Sequence, residues 1–142
     1  MNYFTYHELC YSDTAIRKGI ENIPDALQLM NLMDLKQRIL EPLREAFGRP
    51  IYINSGFRCP KLNAAVGGVA TSQHMKGQAA DIVCKTDGVV SPRGNKELFD
   101  LIQKLGLPFD QLINEKPTAG GLPQWVHVSW APHPRKQVFV KG

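Results

Sequence analysis

Ser72-Gln73-His74-Met75-Lys76-Gly77-Gln78-Ala79-Ala80-Asp81-Ile82-Val83-Cys84 changes character at Gly77. Before the glycine the residues suit a polar loop. After it, Ala79 to Cys84 is a short apolar run that reads as a strand, bracketed by Gly77 and the Asp87-Gly88 turn. His74 precedes the turn and Asp81 lies in the strand, so an imidazole and a carboxylate seven residues apart can converge on one point. A second strand, Trp125-Val126-His127-Val128-Ser129-Trp130, alternates so that Trp125, His127 and Ser129 share a face.

Working outward, Pro50 to Asn54 is strand-like and Ser55-Gly56 ends it, and Leu112-Ile113 belongs to a strand Gln111–Glu115. The Gly/Pro loop 116–123 joins that strand to the one bearing His127, and Val138-Phe139-Val140 offers a last edge. Toward the N-terminus, Thr5 and Ser12-Asp13 are plausible caps for short helical turns, with Gly19 as a stop. Leu29, Leu32, Met33, Ile39, Leu40, Leu43 and Phe47 recur at helical spacing from Pro24 to Phe47, where Gly48 closes the pattern. Pro42 interrupts it and predicts a kink or a restart. A further helix is expected over 95–105, capped by Asn95. Helices first, then strands interleaved with a helix, predict an α+β fold: N-terminal helices on a small, mainly antiparallel sheet. The chain reads as one domain over 1–142, with 1–23 as an N-terminal arm.

At 142 residues, 43% hydrophobic and 21% charged, the chain is neither disordered nor too small to bury a core. Residues 1–50 carry six Lys/Arg against seven Asp/Glu, and residues 51–142 carry eleven against six. The basic part is therefore the C-terminal two-thirds, yet no nucleic-acid-binding motif accompanies it, and nucleic acid is not expected as a partner. No stretch is apolar enough to span a membrane. Cys10, Cys59 and Cys84 are odd in number, with no CxxC pair, and read as reduced small hydrophobes.

Two imidazoles and a carboxylate, His74, His127 and Asp81, form a three-ligand set for Zn2+ that leaves a fourth position for water. Taken alone, each has a plainer reading as a core histidine or a turn aspartate, and there is no HExxH helix. Around them stand Ser55-Gly56-Phe57-Arg58, then Leu62-Asn63-Ala64-Ala65-Val66-Gly67-Gly68, then Ser72-x-His74-x-x-Gly77-x-Ala79-x-Asp81, and Trp125-Val126-His127-Val128-Ser129. Together these blocks, spanning about half the chain, resemble the M15 family of zinc peptidases. That family holds D-alanyl-D-alanine carboxypeptidases and dipeptidases, and phage or bacterial peptidoglycan endopeptidases. The resemblance implies a hedgehog/D,D-peptidase-like fold, zinc on His74, Asp81 and His127, and a peptidoglycan stem peptide as substrate. It implies that Arg58 contacts substrate near the scissile carbonyl, where a guanidinium stabilises a developing oxyanion. It implies that Ser72 contacts substrate; otherwise Ser72 is a turn residue capping a backbone N–H.

One position departs from the family. Its members typically carry an acidic general base three residues before the last zinc histidine, and here that residue is Gln124. A carboxamide can orient a water or contact substrate but cannot take a proton. Glu115 is the expected substitute: if the strand pairs with 124–130 in an even register, Glu115, Ile113, Trp125 and His127 share a face. An odd register turns Glu115 away. Asp110 is a weaker alternative on the other parity. The expected activity is hydrolysis of stem-peptide amides by a D,D-carboxypeptidase or endolysin-like endopeptidase, acting as a monomer. The alternative is a zinc-containing wall-binding or partner-binding domain that has lost its base. With no secretory signal at Met1–Glu8, synthesis in the cytoplasm and release to the cell wall by phage or prophage lysis are expected.

Overall fold

Pro42 sits within the longest helical pattern, and the computed structural model, which describes residues 2–142, shows how the helix absorbs it. α3 (Ala26–Leu35) runs into a five-residue π turn (Lys36–Leu40) and resumes as α4 (Glu41–Phe47). The Glu41 N–H reaches back five residues to the Lys36 carbonyl, so the helix widens just before the residue that has no N–H to give. The expected restart at Pro42 is therefore a π bulge. Gly48, left-handed at φ +71°, ends α4.

Before α3 come α1 (Tyr6–Cys10), with Thr5 and Glu8 forming a capping box, and α2 (Asp13–Lys18), capped by Ser12 and stopped by Gly19. Within residues 2–23, the first of these short helical turns packs against α3 and α4. Phe4 and Leu9 are buried with Leu32, Leu35, Ile39, Leu40 and Leu43 in one continuous core. The Glu41 carboxylate accepts from the N–H groups of Tyr3 and Phe4 at 2.8 and 2.9 Å, which ties the N-terminus to α4.

β1 (Tyr52–Ser55), β2 (Ala79–Val83), β5 (Gln111–Glu115), β6 (Trp125–Ser129) and β7 (Gln137–Lys141) form a sheet in the order β1-β2-β6-β5-β7. All its pairs are antiparallel except β5 with the edge strand β7, so the α+β class and the mainly antiparallel sheet are as expected. α5 (Pro60–Ala65) and a 3-10 turn (Gln73–Lys76) lie between β1 and β2. The small hairpin β3 (Lys85–Thr86) and β4 (Val89–Val90) turns at Asp87-Gly88. Ala80, Ile82, Leu112, Val126 and Val128 send one face of the sheet into the helical core.

The helix α6 (Pro92–Lys104) corrects one expectation. Its cap is Ser91, whose Oγ accepts from the Gly94 N–H at 3.0 Å, with Pro92 in the first turn. Asn95 lies inside the helix, fully buried. Its Oδ1 accepts from the Cys84 N–H at 2.7 Å, and its Nδ2 donates to the carbonyls of Pro123 and Gln124, both at 3.0 Å. A residue that looks like a cap is thus a clamp between the end of β2 and the entry to β6. The three cysteines are free, with Cys84 buried.

Candidate active site

His74, Asp81 and His127 arrive at one point by three separate routes. His74 comes from the 3-10 turn, capped by Ser72, whose Oγ accepts from the His74 N–H at 3.2 Å. Gly77 ends that turn at φ +73°, where a Cβ would lie 2.2 Å from the Gln28 carbonyl oxygen, so both its angle and its contact with α3 demand glycine. Asp81 and His127 are direct cross-strand partners on β2 and β6. One donor atom from each residue lies within 4.8 Å of the others.

The donor geometry suits zinc. His74 Nε2 is 3.4 Å from Asp81 Oδ2, and His127 Nδ1 is 3.0 Å from Asp81 Oδ1. A tetrahedral ion with bonds of about 2.0–2.1 Å needs ligand atoms about 3.3–3.4 Å apart; the two contacts to Asp81 are near that spacing, and the three donors lie within 4.8 Å of one another. The Gly56 carbonyl lies 2.8 Å from His74 Nδ1. That contact assigns the proton to Nδ1 and leaves Nε2 as the free lone pair, the usual outer support of a metal-binding histidine. Burial pushes the Asp81 carboxyl up, but the facing imidazoles of His127 and His74 outweigh it and hold the group well below the usual carboxylate range. The carboxylate form is the one a cation needs.

The trio lies in a cleft of about 730 Å³. β5 pairs with β6 as Ile113↔His127 and Glu115↔Trp125, the even register, so Glu115 shares the cleft with His127. Burial raises the Glu115 pKa, and the negative charge of Asp81 raises it further. Gln124 is not brought in: its side chain is exposed and does not line the cleft, and among the described residues only its backbone is engaged. Asp110 is also unsuited to act as a base. It is 2% exposed and accepts from Arg135 and Gln73. Those contacts, the Arg135 hydrogen bond first, pull its pKa down to about 2.

Arg58 lines the cleft but is already engaged. Its Nε donates to Ser55 Oγ at 2.9 Å, its Nη1 to Asn63 Oδ1 at 3.3 Å, and its Nη2 is 3.5 Å from Asp81 Oδ2. Burial lowers its pKa, with Asp81 opposing. Ser72 both caps His74 and lines the cleft. Sequence reading missed the Gly56 carbonyl, because a backbone oxygen leaves no signature in residue type. It also missed Gln73 and Arg135, whose link to Asp110 spans 37 and 25 residues.

Residues 2–107 match the family model described as Peptidase M15. The chain belongs to the peptidase M15 family. The matched segment holds Arg58, Ser72, His74 and Asp81; Glu115 and His127 lie beyond it and rest on the geometry above. Over 88 residues the chain is 38% identical to the zinc D-Ala-D-Ala carboxypeptidase of Streptomyces albus G. That alignment covers 60% of this chain and 32% of the relative, so the likeness spans about a third of the relative's length. Among solved structures, that of the Serratia marcescens L-Ala D-Glu endopeptidase ChiX is similar with a TM-score of 0.49 at 18% identity, covering 75% of this chain and 87% of the other.

Proposed function

We propose that this chain is a zinc-dependent peptidase that hydrolyses amide bonds in peptidoglycan stem peptides, as a D,D-carboxypeptidase or an endopeptidase. The observation that carries the reading is the His74–Asp81–His127 cluster in an open cleft with Glu115 on the same sheet face. His74, Asp81 and His127 hold Zn2+, which when bound supplies a Lewis acid to polarise a carbonyl and acidify water. Glu115 takes the proton of the attacking water and returns it to the leaving amine nitrogen as the carbon–nitrogen bond breaks. Its raised pKa suits both steps. Arg58 faces the developing oxyanion, held in place by Ser55 and Asn63. Residues 1–142 act as one peptidase domain, as a monomer, at the cell wall. Among the described residues no helix is long and apolar enough to cross a membrane.

Gln124 favours the second reading, a wall-binding or partner-binding domain without turnover; Glu115 in the cleft weighs against it. The test is digestion of crosslinked and linear muropeptides by zinc-loaded protein, read by mass spectrometry, which also reports the bond cut. Glu115→Gln should keep the metal and lower turnover about 10²- to 10⁴-fold, whereas His74→Ala should lose the metal. Absence of cleavage across the panel overturns the enzyme reading, and undiminished turnover in Glu115→Gln overturns the choice of base.

A further inference from the structure

Arg135 lines the same cleft from the segment between β6 and β7, and one edge of its guanidinium is fully committed. Nε donates to Asp110 Oδ1 at 2.9 Å and Nη2 to Asp110 Oδ2 at 2.7 Å, a two-point fork. The Arg135 backbone N–H adds a bond to Oδ1 at 2.9 Å, and Gln73 Nε2 one to Oδ2 at 3.0 Å. Asp110 is therefore a buried anchor that sets the plane of a guanidinium whose side chain is still 54% exposed. Among the described residues Nη1 has no partner, so the second edge of the fork is unused.

The placement is asymmetric. Ile113 is paired with His127 at the middle of β5, and Glu115 lies two residues to one side. Asp110 lies three residues to the other side, about 10 Å along the strand. Lys116 and Lys141 stand at the Glu115 end, and Arg58 stands at the metal cluster itself, beside Asp81. Arg135 is thus the cation at the far end. A pre-aligned guanidinium with one free edge recognises a planar carboxylate better than it recognises a neutral amide, since it loses little side-chain freedom on binding.

We infer that Arg135 is a specificity-determining residue that reads a free carboxylate of the substrate to one side of the scissile bond. The inference rests on the peptidase reading for the identity of the substrate. A stem peptide offers two such groups, the α-carboxylate of its γ-linked glutamyl residue and the carboxylate of its C-terminus. Three matched peptides separate them: one with both carboxylates free and two with a single one converted to carboxamide.

Wild-type zinc-loaded protein should favour the free peptide over one of the two amides by about ten- to a hundredfold in kcat/KM. In Arg135→Gln that ratio should collapse to near one, while Arg135→Lys, which keeps a cation against Asp110, should retain part of it. Binding of the same peptides by calorimetry reads the preference even without turnover. A binding preference without cleavage sinks the peptidase reading and leaves the carboxylate site standing. Equal treatment of all three peptides by the wild-type protein overturns the inference, whatever the variants do. So does an unchanged ratio in folded Arg135→Gln, which would make Arg135 an anchor of its loop alone.

Discussion

Gly56→Ala should damage the fold and the proposed metal site together. A Cβ at Gly56 would lie 2.1 Å from the Leu9 carbonyl oxygen, whereas carbon and oxygen in contact keep about 3.3 Å. α1 and the end of β1 must therefore separate by about 1 Å. Two hydrogen bonds run through this contact: the Phe57 N–H to Leu9 O and the His74 Nδ1–H to Gly56 O, both at 2.8 Å. Overpacking of about 1–3 kcal/mol, with these bonds weakened by about 0.5–1.5 kcal/mol each, gives a loss of about 2–6 kcal/mol. Unfolding entropy of about 2.1 cal/mol/K per residue over 142 residues converts that to a fall in Tm of about 7–20 °C. With its supporting carbonyl displaced, His74 should also bind zinc at least about tenfold more weakly. Scanning calorimetry and competition with a chromophoric chelator measure the two effects. Gly120→Ala serves as control, since its Cβ would meet nothing closer than 3.9 Å. A Gly56→Ala protein with Tm within about 2 °C of the parent and unaltered zinc affinity would refute the reasoning.

Two further perturbations probe the buried polar groups. The Asp110 pKa is lowered to about 2 by Arg135, so its stabilisation is complete above the unfolded pKa and is lost as pH falls from about 4 to about 2. Halved because Arg135 is half exposed, the contribution is about 1–2 kcal/mol, and Asp110→Asn should flatten that acid limb in denaturant melts at stepped pH. An acid limb identical to the parent's would show that the pair contributes nothing. Asn95→Ala should cost about 2–4 kcal/mol by stranding the Cys84 N–H and two carbonyls; an exposed-cap role would cost about 1 kcal/mol or less, and urea titration tells the two apart.

What could be read in one dimension is what depends on neighbours a few residues away. Thr5 and Ser12 cap, Gly19 and Gly48 stop, and Pro42 disturbs its helix because caps, left-handed stops and proline gaps act within one turn. The resemblance of the SxHxxGxAxD block and its flanks supplied the family and the candidate ligands. The facing of Glu115 was legible only as a conditional, since even and odd registers fit the same strands equally well. The pairing Ile113↔His127 decides it. Asn95 shows the opposite failure: an asparagine after a loop looks like a cap, and only burial against Cys84, Pro123 and Gln124 makes it a clamp. The Gly56 carbonyl behind His74 and the Asp110 carboxylate behind Arg135 depend on contacts across 18 and 25 residues. Local pattern and the family resemblance named the candidate residues. Tertiary packing chose which of them face the cleft, because register and long-range hydrogen bonding are properties of pairs that no single segment contains.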